Sequence, residues 1–187
     1  MIFVHGSGSS RFSRRNLAVA RHLQETGLAT LLFDLLTEGE STVDAETATY
    51  RFDIDLLTER LLGTIVWLKS QPATEKLKLG LFGASTGAAA ALQVAAKLKG
   101  EIVAVVSRGG RPDLAGAQAL AQVTSPTLLI VGGLDTEVIA LNQSAKSFLE
   151  SKAELKIVED ATHLFEEPGK MAEVEQLTSK WFADHSQ

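Results

Sequence analysis

Apolar residues collect into short continuous runs at residues 2–4, 29–34, 77–82, 102–107, 127–132 and 155–158. A strand with one wet face alternates apolar and polar positions, so runs this continuous predict strands buried on both faces, as in a parallel sheet. Between them, apolar positions recur at helical spacing over residues 13–25, 52–70, 85–98, 114–122, 136–151 and 170–185. The alternation of strand and helix predicts an α/β architecture, a mostly parallel sheet of about six strands covered on both faces by right-handed crossovers. No internal repeat or low-complexity linker breaks the pattern, and 187 residues suit one domain over 1–187.

In such sheets, functional residues gather at the carboxyl ends of the strands, where loops converge and helix N-termini point. The first predicted strand is followed by His5-Gly6-Ser7-Gly8-Ser9-Ser10 and the third by Gly83-Ala84-Ser85-Thr86-Gly87. Gly132-Gly133-Leu134-Asp135 follows the fifth, and Ala161-Thr162-His163 the sixth. The GxSxG stretch between an apolar run and an alanine-rich helical run has the strand, elbow, helix context of a nucleophilic serine, which makes Ser85 the candidate nucleophile. A serine hydroxyl needs a base to take its proton, and imidazole has the suitable pKa. Of the four histidines, His22 lies in a helical segment, His185 sits two residues from the end and His5 opens the glycine-rich turn. His163, in a loop after a strand, is the candidate base, and Asp135 the candidate carboxylate that orients it. Asp113, after the fourth strand, is the competing acid, and Asp160 is too close to His163 in sequence. The order Ser85, Asp135, His163 is that of α/β-hydrolases.

Acyl transfer creates an oxyanion, and the main-chain amides of Ser7 and Thr86 are the expected donors. The turn at His5 lacks the Lys-Ser/Thr ending of a P-loop and the full spacing of a dinucleotide fingerprint. No metal or organic cofactor is implied. With no cysteine there is no disulfide, thiolate metal site or cysteine nucleophile. A formal net charge of −5 gives no reason to expect nucleic acid. The opening residues do not read as a signal peptide, and no apolar run approaches the roughly 20 residues of a membrane span, so no membrane partner and a cytoplasmic location are expected.

The segments HGSGSSRFSRRN from His5, LLFDLLTEGES from Leu31, GLFGASTGAAAAL from Gly80, SRGGRPDLAG from Ser107, LLIVGGLD from Leu128 and ATHLFEEPG from Ala161 together resemble α/β-hydrolases, and among them the dienelactone-hydrolase-like branch. The resemblance covers nearly the whole chain and implies an α/β-hydrolase fold with Ser85, Asp135 and His163 as its triad. Two departures stand out. Dienelactone hydrolase itself uses a cysteine nucleophile where this chain has Ser85, so an ester or related acyl substrate is expected in place of the dienelactone. The family fold begins with an antiparallel hairpin, whereas this chain starts inside the His-Gly strand: either a leading segment is missing or the sheet is trimmed, and a trimmed sheet would leave the strand around Leu31 as an exposed edge and a possible homodimer contact.

The connection from Ser107 to Thr127 has room for a turn and one short helix, so no lid domain is expected and the site is open to small or soluble esters. Arg108, Arg111 and Arg11 stand near the expected pocket, with Arg14 and Arg15, and are candidates to bind an acidic substrate group. The alternative is that they pair with Asp34, Glu38, Asp113 or the Glu166-Glu167 pair to fix loops. Three arginines around a helix start oppose its dipole, and an anion nearby lowers that cost. The function expected is hydrolysis of a small carboxylic ester or thioester through an acyl-enzyme. Acyl transfer through the same residues, or a non-catalytic binding module of this fold, are the alternatives.

Overall fold

A computed structural model describes residues 1–149 and 152–185. Six strands form one fully parallel sheet in the order β2-β1-β3-β4-β5-β6, with β1 at Ile2–Val4, β2 at Leu31–Leu32, β3 at Leu79–Ala84, β4 at Ile102–Arg108, β5 at Thr127–Gly132 and β6 at Ala153–Val158. The order turns back between β1 and β3, so the loops leaving these two strands diverge and open a crevice at the carboxyl edge, the usual ligand position in such sheets.

Every residue of β3 and β5 is buried, as their continuous apolar runs require. Alternate residues serve opposite faces. Ile2, Val4, Leu81 and Val105 pack with α3 (Ile54–Ser70) and α4 (Thr86–Lys97), while Phe3, Phe82, Val106 and Ile130 pack with α1 (Arg14–Glu25) and α7 (Lys170–His185). The alanine run 88–91 is wholly buried, and the absence of long side chains there lets α4 press against the sheet.

Several expected elements have different bounds. The strand over 29–34 shrinks to Leu31–Leu32, because beyond Leu32 the chain is diverted from the sheet: Asp34 accepts from the Arg11 amide (2.6 Å) and the Leu35 amide donates to His5 (3.0 Å). The strand over 77–82 starts at Leu79 and runs to Ala84. The helix over 114–122 is a 3-10 turn at Pro112–Ala115 and a separate one-turn α5 at Ala117–Leu120, divided by Gly116 at φ 83°. The helix over 136–151 ends as α6 at Thr136–Lys146, and residues 150–151 lie outside the described residues.

One helix carries no apolar stripe to announce it. This is α2, Glu38–Thr47, which starts on a capping box: Thr37 Oγ1 accepts from the Glu40 amide (3.3 Å) and the Glu40 carboxylate from the Thr37 amide (2.7 Å). Its buried residue is Asp44, whose carboxylate accepts from the Tyr50 and Arg51 amides (2.7 and 2.8 Å) and from Arg51 Nε (2.8 Å). Among the described residues, no helix is long and apolar enough to cross a membrane.

Candidate active site

Ser85 sits at the junction of β3 and α4 with φ 50° and ψ −123°, a conformation that costs a non-glycine residue on the order of 1–3 kcal/mol. The surroundings hold it there. Its N–H donates to the Arg108 carbonyl (3.2 Å), and its carbonyl accepts from the amides of Ala88 and Arg111 (both 3.1 Å). Two glycines permit the close approach: a Cβ on Gly87 would lie 2.2 Å from the Val4 carbonyl oxygen, and one on Gly6 would lie 2.8 Å from Ser85 Cβ. The turn after β1 therefore rests directly on the serine.

Asp135 and His163 come together although 28 residues separate them. His163 Nδ1 lies 2.6 Å from Asp135 Oδ2, so Nδ1–H donates to the carboxylate and Nε2 keeps its lone pair. Main-chain bonds lace the two loops: Gly133 N donates to Val158 O (2.8 Å) and Leu134 N to Ala161 O (2.9 Å). The Glu167 carboxylate accepts from the Thr162 amide (3.1 Å), and buried Phe165, at φ 57°, closes the loop. The imidazole stands against Gly109, whose Cβ position would be 3.5 Å from ring atoms Cε1 and Nδ1. Gly109 follows Arg108, the residue whose carbonyl holds Ser85. No hydrogen bond joins Ser85 to His163 in this structure; such bonds are often long without substrate and tighten when one binds.

Ser7 and Thr86 also meet, with their hydroxyl oxygens 3.1 Å apart. Their main-chain N–H groups donate to no other group among the described residues. The remaining histidines have other tasks. His5 Nδ1–H donates to the Gly6 carbonyl and Nε2 accepts from the Leu35 amide, both at 3.0 Å, and burial lowers its pKa, with smaller opposing effects from Gly6 and Asp34. It is a neutral brace between the turn after β1 and the loop after β2, a role that sequence spacing does not reveal. His22 binds Ser179 and His185 binds the Trp181 carbonyl, both on helices behind the sheet.

Two of the three candidate substrate arginines are paired with acids. Arg111 grips Asp113 with both Nε (2.9 Å) and Nη2 (2.7 Å), which raises its pKa and keeps Asp113 away from His163. Arg11 is paired with Asp34 and stands 4.4 Å over the Phe12 ring. Arg108 instead turns into the interior beneath α1. A cleft of about 790 Å³ opens beside Ser7 and Thr86, walled by the loop after β2, α2 and Arg51. The α2 wall was legible only in the Thr37/Glu40 capping pair.

The dienelactone hydrolase family model matches residues 8–185. A solved structure described as a dienelactone hydrolase from Anabaena variabilis superposes with a TM-score of 0.96 at 54% identity, covering 100% of this chain and 86% of that one. Est1E from Butyrivibrio proteoclasticus shares the fold at a TM-score of 0.81 and 15% identity, covering 98% and 86%. Curated relatives from two Mycobacterium tuberculosis strains, provisionally named phosphoribosyl transferases, are 54% identical over 185 residues, 99% of this chain and 41% of their own length. The chain thus spans about two-fifths of the curated relatives it matches.

Proposed function

Since this chain belongs to the dienelactone hydrolase family, we propose that it is a serine hydrolase that cleaves a small carboxylic ester or thioester through an acyl-enzyme. The observation that carries this reading is the 2.6 Å contact of His163 with Asp135 beside a serine held at a positive φ. Asp135 fixes the imidazole with Nδ1–H toward the carboxylate, so Nε2 takes the Ser85 proton as Oγ attacks the acyl carbon. The charge on the carbonyl oxygen is received by the unengaged amides of Ser7 and Thr86, at the positive end of α4. Collapse of the tetrahedral intermediate expels the alcohol or thiol, protonated by His163. Water, deprotonated by the same histidine, then attacks the acyl-Ser85 and releases the acid. Base and oxyanion donors each contribute a factor on the order of 10²–10³.

The name carried by the Mycobacterium tuberculosis relatives belongs to proteins of more than twice this length, and the segment they share is the one the hydrolase family model spans. Phosphoribosyl transfer is therefore not assigned to the Ser85 site. The test is turnover of short-chain p-nitrophenyl esters by the wild type and by Ser85→Ala, with fluorophosphonate labelling of both. Loss of at least about 10³-fold in turnover, with loss of labelling, is expected; an equally active Ser85→Ala protein refutes the proposal.

A further inference from the structure

Positive charge accumulates at the first turn of α1 in a chain whose net charge is −5. The helix begins Arg14-Arg15-Asn16 with no acidic residue in that turn, where its dipole already favours anions. The Ser13 hydroxyl caps the Asn16 amide (3.4 Å), leaving the Arg14 and Arg15 N–H groups without acceptors among the described residues. A third guanidinium reaches the same turn from the end of β4. Arg108, only 7% exposed, donates from Nη2 to Asn16 Oδ1 at 3.3 Å, the one hydrogen bond of its side chain among the described residues. Its Nε is buried with no partner, and so is the Nε of Arg15.

One long hydrogen bond does not offset the desolvation of a guanidinium, and among the described residues no carboxylate lies within ion-pair distance of Arg108. Burial, with repulsion from Arg15, pushes its pKa down to about 10, which leaves it cationic at neutral pH. Arg11 and Arg15 have acids, Asp34 and Glu166, whereas Arg14 and Arg108 have none, so two positive charges are unmatched. The Glu166 side chain is 63% exposed and stands on the His163 loop, 2.8 Å from Arg15 Nη1. A better anion can displace it at little cost.

We propose that the first turn of α1, with Arg15 and Arg108, is a binding site for a phosphate-type oxyanion. The site joins the unpartnered Nε–H groups of Arg15 and Arg108 to two unpaired amides, and two guanidinium charges opposed by the single exposed carboxylate of Glu166 suit a dianion better than a monoanion. Arg108 is also the residue whose main-chain carbonyl fixes Ser85, so one residue ties the anion site to the nucleophile elbow. The anion is either free phosphate or a phosphate carried by the substrate.

Inorganic phosphate is titrated into the protein at pH 8 with ionic strength balanced by chloride, read by calorimetry and by melting temperature. These readouts need no turnover, so they stand or fall apart from the hydrolase reading. Saturable binding with a dissociation constant below about 1 mM is expected, weakened at least about tenfold by Arg15→Gln and by Arg108→Gln. Glu166→Gln removes the competing carboxylate and is expected to tighten binding severalfold, a gain that a merely destabilised fold does not produce. If Arg108→Gln fails to fold, Arg15→Gln and Glu166→Gln decide. No saturable binding up to about 10 mM, or the same affinity in the wild type and the folded variants, overturns the proposal. Competitive inhibition of neutral-ester hydrolysis, with a lower KM for a phosphate-bearing ester that Arg15→Gln abolishes, identifies the substrate's own phosphate. Binding without inhibition identifies free phosphate.

Discussion

Asp135→Asn separates orientation of the base from stability of the fold. Asn keeps the shape but offers an N–H where His163 Nδ1 now donates at 2.6 Å. If that N–H faces the ring, Nδ1 becomes the acceptor, the proton moves to Nε2, and the imidazole can no longer take one from Ser85. In serine proteases this tautomer error lowers kcat by a factor on the order of 10⁴, about 5.4 kcal/mol in the barrier. The folding cost is far smaller, because the pair is partly wet, with side-chain exposures of 40% for His163 and 16% for Asp135; at most about 1 kcal/mol is expected, a melting shift of about 2–4 °C at this chain length. Both are measured on one preparation, kcat/KM with a neutral p-nitrophenyl ester and a thermal melt. Asp113→Asn is the control, since Asp113 is engaged by Arg111 and not by His163, and activity within about threefold of wild type is expected. An Asp135→Asn enzyme within tenfold of wild type, or an equal loss in Asp113→Asn, refutes the reasoning.

Gly87→Ala places a methyl 2.2 Å from the Val4 carbonyl oxygen and 2.5 Å from that of His5, where no rotamer relieves the overlap; a loss above about 3 kcal/mol in urea unfolding is expected, and one below about 1 kcal/mol refutes the packing account. Ser7→Ala and Thr86→Ala each keep the main-chain amide, so each is expected to lower kcat less than about tenfold; a larger loss transfers the oxyanion role to the hydroxyls. His5 has a folded pKa below the ordinary 6.5, so its contribution to stability is complete above about pH 6.5 and declines as the pH falls toward the folded value, because the unfolded chain takes up the proton first. His5→Gln is expected to flatten the fall in urea midpoint between pH 7 and pH 5, and an unchanged slope removes His5 as its source.

The sheet was legible wherever burial on both faces left a nearly continuous apolar run, as in β5, found with the bounds that run gives. Apolar patterning fails where polar contacts replace apolar ones. The helix α2 is held by a capping box and by the buried Asp44 carboxylate, and its signal was the Thr37-to-Glu40 spacing. Likewise the run over 29–34 looks like a full strand, yet Asp34 and Leu35 are claimed by Arg11 and His5 and only two residues pair with β1. Such partners are distant in sequence and cannot be weighed against the apolar signal without the fold.

The same division runs through the site. Ser85, Asp135 and His163 could be put forward as candidates because each lies in the segment just after a strand, and parallel strands deliver such segments to one edge. The arginines depend on which face each leaves. In β4, successive residues point to opposite faces, so Ser107 turns toward Ala88 of α4 while Arg108 turns under α1 to Asn16. Alternation alone predicts that the two part company; it does not say that the element above Arg108 is itself headed by arginines. That coincidence, made by the crossover from β1 through α1, leaves a buried cation without an acid beneath the first turn of α1. Side chains fixed by their own turn were readable, whereas those whose partner is chosen by the layer above were not, and Arg108 is of the second kind.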